Sequence, residues 1–209
     1  MHHTDFALAF QDGATITDEQ GAVATLHTYA LGELVAPTGR IIACDPLTAV
    51  EPPAFAQRVA PGRHLVVASV ASLANGDVRV ACLMLRLRET TVVRWEMARM
   101  EGQDEVALKE DEFFGYPVDA GVGCLMDAIA FDALSARYES DEGYDEALID
   151  ALEASEVDDW RRVNVTLDEA SGANLVMVES GWGDGVYASY WGYDANGMAV
   201  CLVTDFSVL

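Results

Sequence analysis

Apolar residues along this chain fall into short runs separated by turn residues. Leu65-Val66-Val67-Ala68-Ser69-Val70-Ala71 is one such run, and Val78-Arg79-Val80-Ala81-Cys82-Leu83-Met84-Leu85-Arg86 is the next. Asn75-Gly76 lies between them. Both residues tolerate positive φ, so the pair predicts a hairpin. Asn196-Gly197 predicts a second one, between Tyr190-Trp191-Gly192-Tyr193 and Met198 to Val203. From Thr91 to Met100, Val93, Trp95 and Met97 alternate with Arg94, Glu96 and Ala98, the pattern of a strand with one wet face. Ile41-Ile42-Ala43-Cys44 reads as a short strand stopped by Asp45-Pro46, and Leu175 to Val178 as another.

The middle of the chain has a different period. Between Gly121 and Tyr138, Leu125, Ile129 and Ala133 form one i, i+4 row, with Met126, Ala130 and Leu134 beside it. That stripe predicts a helix. A second helix is expected from about Gly143 to Ala154, with Tyr144, Leu148 and Leu152 on one face and Ser140 and Asp141 as caps. The chain thus divides into a β-rich zone (1–100), an acidic helical zone (101–160) and a β-rich zone (161–209). Neither β zone has enough strands for a good core alone, so both are expected in one sheet. The resulting expectation is a single α+β domain over 1–209. Its sheet is mainly antiparallel, sandwiched or strongly curved, with the two central helices packed on it.

Composition narrows the function. Half of the 209 residues are hydrophobic (51%) and 22% are charged, which excludes disorder as the main state. Acids outnumber bases 35 to 12, for a formal charge of −23. Neutralising phosphates needs a basic face, so no nucleic-acid partner is expected, nor an anionic membrane surface. There is no apolar run of about 18 residues that would predict a membrane-spanning helix. The N-terminus has no basic region, and Phe6 to Phe10 is too short for a signal-peptide core, so the expected location is the cytoplasm. Cys44, Cys82, Cys124 and Cys201 are far apart and set in apolar sequence, which reads as four buried hydrophobes in a reducing compartment.

The acid is concentrated. From Glu101 to Asp159 there are 19 acids against Lys109 and Arg137, and from Glu139 to Asp159 ten acids and no base. One reading is a solvated face that keeps the protein soluble. The other is a patch, centred on Asp141, Glu142, Asp145 and Glu146, that steers a basic protein partner.

Chemistry has fewer footholds. The nucleophile elbow, the phosphate-binding loop, the dinucleotide fingerprint and the zincin motif are all missing. What remains is a set of aspartates at strand ends or beside glycines: Asp45, Asp119, Asp184 and Asp205, with Asp127 inside the first expected helix. Carboxylates that converge can act as acid and base or bind a divalent cation, for which Asp119, Asp127 and Asp184 are the candidate ligands. Asp beside Gly is equally ordinary turn chemistry. Gly121-Val122-Gly123, feeding a helix, would offer N–H groups to an anion. Trp182, Tyr187, Tyr190 and Trp191 lie in a glycine-rich stretch and form either a ligand platform or part of the core.

That same stretch carries a resemblance. Gly183-Asp184-Gly185, between Ser180-Gly181-Trp182 and Tyr190-Trp191-Gly192-Tyr193-Asp194, is similar to the shared motif of the bacterial domain-of-unknown-function family numbered 4241. Gly39 to Leu47, Phe114 to Gly121, and Val203-Thr204-Asp205-Phe206 resemble it too. The resemblance runs from about residue 32 to the end. It implies no activity, and it draws attention to Asp45, Asp119, Asp184 and Asp205 together. The leading expectation is therefore an acidic cytoplasmic binding protein, of immunity or inhibitor type, that neutralises a basic partner. The alternatives are a metal-dependent hydrolase built on the aspartates near the Gly-Asp-Gly loop, and a domain whose acidity serves solubility alone.

Overall fold

The computed structural model describes residues 4–17, 21–103, 108–109 and 112–209. A short helix α1 (Phe6–Ala9) leads into β1 (Thr15–Thr17), β2 (Val23–Ala36), β3 (Ile41–Cys44), β4 (Gly62–Ser72), β5 (Val78–Arg86) and β6 (Arg94–Met97). Next come β7 (Gly115–Val118), β8 (Val122–Asp127), α2 (Ala128–Ser140) and α3 (Tyr144–Glu153). The chain closes with β9 (Arg162–Asp168), β10 (Ala173–Glu179), β11 (Gly185–Tyr193) and β12 (Ala199–Asp205).

These strands make two antiparallel sheets. The larger runs β1-β2-β4-β5-β12-β11-β6, with β7 paired to the other half of β11's free edge. It is strongly curled, in the manner of a half-barrel. The smaller runs β3-β8-β10-β9. Both expected hairpins form. Gly76 (φ +91°) turns β4 into β5, and Gly197 (φ +75°) turns β11 into β12. The two terminal β zones do share a sheet, but the chain also builds a second one. The fold is α+β and mainly antiparallel.

Alternation sorts the side chains into three apolar layers. Val66, Ala68, Leu83, Leu85 and Leu202 of the large sheet meet Ile41, Ala43, Leu125, Val176 and Val178 of the small one. On the outer face of the small sheet, Cys44, Cys124, Met126, Leu175 and Met177 are covered by Leu134 of α2 and Leu148 and Leu152 of α3. On the outer face of the large sheet, Val67, Ala81, Cys82, Met84 and Val203 are covered by Phe6 and Ala9 of α1. Ala81 is the extra residue of a bulge: Val70 faces Val80 while Ser69 faces Cys82. Its carbonyl accepts from the Phe206 N–H instead, so the end of the chain is tied into the kink.

The two sheets are also stitched by amides. Asn174, 4% exposed on β10, takes the Val35 N–H at 2.7 Å and donates to the Glu33 carbonyl at 2.9 Å. Asn164 donates to the Leu31 carbonyl at 3.1 Å. These bonds sit at the bulge where β2 breaks register with β4 between Ala30 and Glu33. Backbone groups that the ladder abandons are thereby satisfied from the facing sheet.

The long helix expected from Gly121 is the main correction. Residues 122–127 are a strand, and the helix begins at Ala128. All six residues of β8 are buried, because the strand is central and has a core on each face. A strand buried on both sides loses its alternation, and its apolar run merges with the stripe of the following helix. The glycines at 121 and 123 therefore feed a strand, and the helix-terminus anion site has no basis. The second expected helix is α3, but its caps differ. Gly143 is its N-cap and makes no side-chain bond, while Asp141 is the C-cap of α2.

Candidate functional site

Asp45 and Asp127 sit at opposite ends of the β3–β8 pair, and both are fully buried. Asp45 follows β3. Its Oδ2 accepts the N–H groups of Asp119 at 3.0 Å and Ala120 at 2.7 Å, and its Oδ1 that of Leu47 at 3.0 Å. Asp127 ends β8 and is the N-cap of α2, accepting the Ile129 N–H at 3.1 Å. The same carboxylate takes the Thr38 N–H at 3.1 Å and the Thr38 hydroxyl at 2.9 Å. Buried carboxylates are stable when their lone pairs meet donors in this way. These oxygens are therefore committed to the backbone.

The other aspartates are placed differently. Asp119 contributes its backbone N–H to Asp45, and its side chain is exposed. Asp184 is exposed on the turn before β11. Asp205, at the end of β12, takes the Thr4 hydroxyl at 2.6 Å and the Ser207 N–H at 2.9 Å. Among the described residues, no group of three or more His, Cys, Asp or Glu side chains is arranged to hold a metal ion. The proposed ligand set Asp119, Asp127 and Asp184 is not brought together, because Asp127 is turned inward to Thr38 and α2 while the other two face solvent.

Burial pushes the Asp205 carboxyl above its ordinary value, against the opposing bonds from Thr4 and Ser207. The native state then holds this proton more tightly than the unfolded chain does. The associated stabilisation is complete below the ordinary carboxylate value and is lost as pH rises through the raised one. Asp205→Asn keeps an acceptor for Thr4 and removes the titration. Its melting temperature should fall less than the wild type's as pH rises from about 4 to about 7. Parallel pH curves for the two proteins would disprove the assignment.

The Gly-Asp-Gly segment is a locked turn. The Gly183 N–H donates to the Ser180 carbonyl, and the Ser180 and Tyr187 hydroxyls both donate to the Gly183 carbonyl, at 2.9 and 2.7 Å. Gly181 has φ +40°, and a Cβ there would stand 2.4 Å from the Phe206 carbonyl oxygen, so only glycine fits. The Ser180 N–H donates to the Gly121 carbonyl, which joins this turn to the one that Asp45 holds. Beside it lies a pocket of about 190 Å³ lined by Arg79, Gly121, Glu179, Ser180, Trp182 and Gly183, among others. It is smaller than the roughly 300–1,000 Å³ of sites for drug-sized ligands. Glu179 is already paired with Arg161 at 2.7 Å, and Arg79 lies over the Trp182 ring at 5.2 Å.

The family model described as "Protein of unknown function (DUF4241)" matches residues 34–204. The chain belongs to this family. The DUF4241 match takes in Asp45, Asp119, Asp127 and Asp184, and stops one residue short of Asp205. Helix α1 and strand β1 precede it. No curated protein and no solved structure matches the chain.

The four aromatics do not make a shared platform. Trp182 is 55% exposed, whereas Tyr187 and Trp191 are buried in the layer between the sheets. Tyr190 faces the other way, against Phe6 at 5.2 Å. Opposite pointing of neighbours on β11 separates them.

The acidic patch, by contrast, is all on the outside. Leu148 and Leu152 hold α3 down, and Asp141, Glu142, Asp145 and Glu146 are exposed with the six other acids between Glu139 and Asp159. Arg161 and Arg162 follow the acidic stretch in sequence, and Arg137 precedes it. Arg137 donates to the Tyr144 hydroxyl at 2.9 Å and the Leu167 carbonyl at 2.7 Å. Among the described residues, only Glu156 of the ten has an ion-pair partner, Arg161 at 2.8 Å. Asp104, Glu105, Glu110 and Asp111 of the wider acidic segment lie outside the described residues. Sequence reasoning passed over Thr38, Asn164 and Asn174, whose partners come from distant strands and leave no local signal. Among the described residues, no helix is long and apolar enough to cross a membrane.

Proposed function

We propose that this protein is a binding module of the bacterial cytoplasm that neutralises a basic partner protein through the face built by α3 and the residues flanking it. The observation behind the reading is the set of exposed carboxylates between Glu139 and Asp159, of which Glu156 alone has an ion-pair partner among the described residues. Ile149 and Val157 lie within that stretch, 38% and 42% exposed, and supply apolar contact area among the charges.

The turn at its end adds weight. Asp158 and Asp159 both have positive φ, +56° and +65°, between the bridged residues Val157 and Trp160. Left-handed backbone costs most non-glycine residues roughly 1–2 kcal/mol, Asp tolerates it better than most, and Asn-Gly would suit such a turn better still. Two consecutive aspartates thus keep charge at the end of this face where neutral residues would serve the backbone. No comparable observation favours the hydrolase, since the buried aspartates are occupied by backbone donors.

The test is affinity capture of basic proteins with the wild type and with a variant carrying Asp141→Asn, Glu142→Gln, Asp145→Asn and Glu146→Gln. Cross-linking then maps the captured protein to residues 139–159. The variant should fold normally and associate at least about tenfold more slowly at low salt, a gap that narrows as salt rises. Asp158→Asn with Asp159→Gly should melt higher than the wild type and bind more weakly. A partner that binds wild type and variants equally, or at a salt-independent rate, overturns the reading.

A further inference from the structure

We infer that Cys44 and Cys124 are an oxidisable dithiol, a site at which a peroxide links β3 to β8 through a disulfide bond. This inference stands apart from partner binding. Cys44 faces Cys124 directly in the register of the β3–β8 ladder, and their Sγ atoms are 3.7 Å apart. Directly opposed residues of an antiparallel pair have Cα atoms about 4.5–5.5 Å apart. A disulfide spans about 4.4–6.8 Å between Cα atoms, so the backbone already satisfies it. Side-chain rotation is enough to bring the sulfurs from contact to bonding distance.

The remaining cysteines lack this arrangement. Cys82 faces Ser69 on one side and Asp205 on the other, and Cys201 faces Arg86 and Gly192. Selectivity therefore comes from register, since all four thiols are buried.

Access comes from the strand. β3 is four residues long and forms an edge of the small sheet, with Cys44 as its last residue. Short edge strands open locally at less cost than central ones. Burial, and then the neighbouring Cys44, hold the Cys124 thiol well above its ordinary value, so the closed pair is unreactive and opening gates the reaction.

The chemistry balances without a metal. The Cys44 thiolate attacks one peroxide oxygen, an S–O bond forms, the O–O bond breaks, and hydroxide leaves and is protonated to water. The Cys124 sulfur then attacks the sulfenic sulfur, the S–S bond forms, the S–O bond breaks, and a second water leaves with the remaining thiol proton. Two thiols are oxidised and one peroxide is reduced to two waters. The new bond lies next to Asp45, so it covalently reinforces the clamp on residues 119–120.

The experiment uses the full chain, hydrogen peroxide, alkylation under denaturing conditions and tryptic mass mapping. Peptide 41–58 should appear linked to peptide 110–137, two hydrogens lighter than their sum, and dithiothreitol should separate them. Two of the four thiols should be lost. A Cys82→Ser, Cys201→Ser double variant should give the same link, while Cys124→Ser should leave Cys44 as a trappable sulfenic acid. The inference is overturned if folded protein keeps all four thiols at a peroxide dose that oxidises the urea-unfolded chain. It is equally overturned if the first link involves Cys82 or Cys201.

Discussion

Asp45→Ala should lower the unfolding free energy by about 3–5 kcal/mol, read as a fall in the urea midpoint at unchanged slope. Three backbone N–H groups, from Leu47, Asp119 and Ala120, depend on this one carboxylate. Removing it leaves these part-buried donors unpaired, at up to roughly 1–3 kcal/mol each before water or relaxation offsets part of the loss. The consequences extend beyond the residue. Residues 119–121 lead into β8, and the Gly121 carbonyl receives the Ser180 N–H of the Gly-Asp-Gly turn. The Gly-Asp-Gly turn should therefore lose hydrogen-exchange protection along with the 119–121 turn.

Asp45→Asn separates this account from a chemical role for the residue. An amide presents one oxygen, so it can accept from Leu47 or from the 119–120 pair, while its NH₂ confronts the other donors. The asparagine variant should still lose more than about 1 kcal/mol. If it is as stable as the wild type, the clamp is not what holds Asp45 in place, and an acid/base role returns to consideration.

Asp127→Ala carries the second large effect, about 2–4 kcal/mol. Loss of an N-cap costs about 1 kcal/mol. Loss of the acceptor for the Thr38 N–H and hydroxyl costs a further 1–3 kcal/mol or so. Asp127→Ser separates the two, because a serine oxygen reaches the Ile129 N–H but not Thr38 as well. It should recover about 1 kcal/mol of the alanine loss. Thr38→Val should cost little on top of Asp127→Ala, since the two residues share one interaction. Full additivity of those two changes would show that Thr38 and Asp127 act separately.

Both residues stood out in the sequence as candidate acid/base groups or ligands, and the reason they were ambiguous is physical. An aspartate that clamps backbone and an aspartate that binds a cation both prefer strand ends and helix starts, because both need converging backbone. Which role it takes depends on what faces it. Each has one local donor, Leu47 for Asp45 and Ile129 for Asp127. The deciding donors for Asp45 come from a turn 74 residues away, and for Asp127 from Thr38, 89 residues away. Spacing along the chain carries no trace of either. The same holds for Cys44 and Cys124, which are 80 residues apart in sequence and opposed in space.

Local chemistry was enough for other features. Asn75-Gly76 and Asn196-Gly197 specify hairpins because their backbone preferences match the turn whatever surrounds it. Asp45-Pro46 ends β3 because proline has no N–H for the ladder. Leu148 and Leu152 on an otherwise acidic segment place α3 with its charges outward. The α+β class, the hairpins, the apolar faces of the exposed elements and the location of the charge thus follow from local pattern. That residues 122–127 are strand, that a second sheet exists, and which buried polar groups meet depend on packing between distant segments. A strand covered on both faces has no period to read, and a long-range hydrogen bond is fixed by packing that local sequence does not encode.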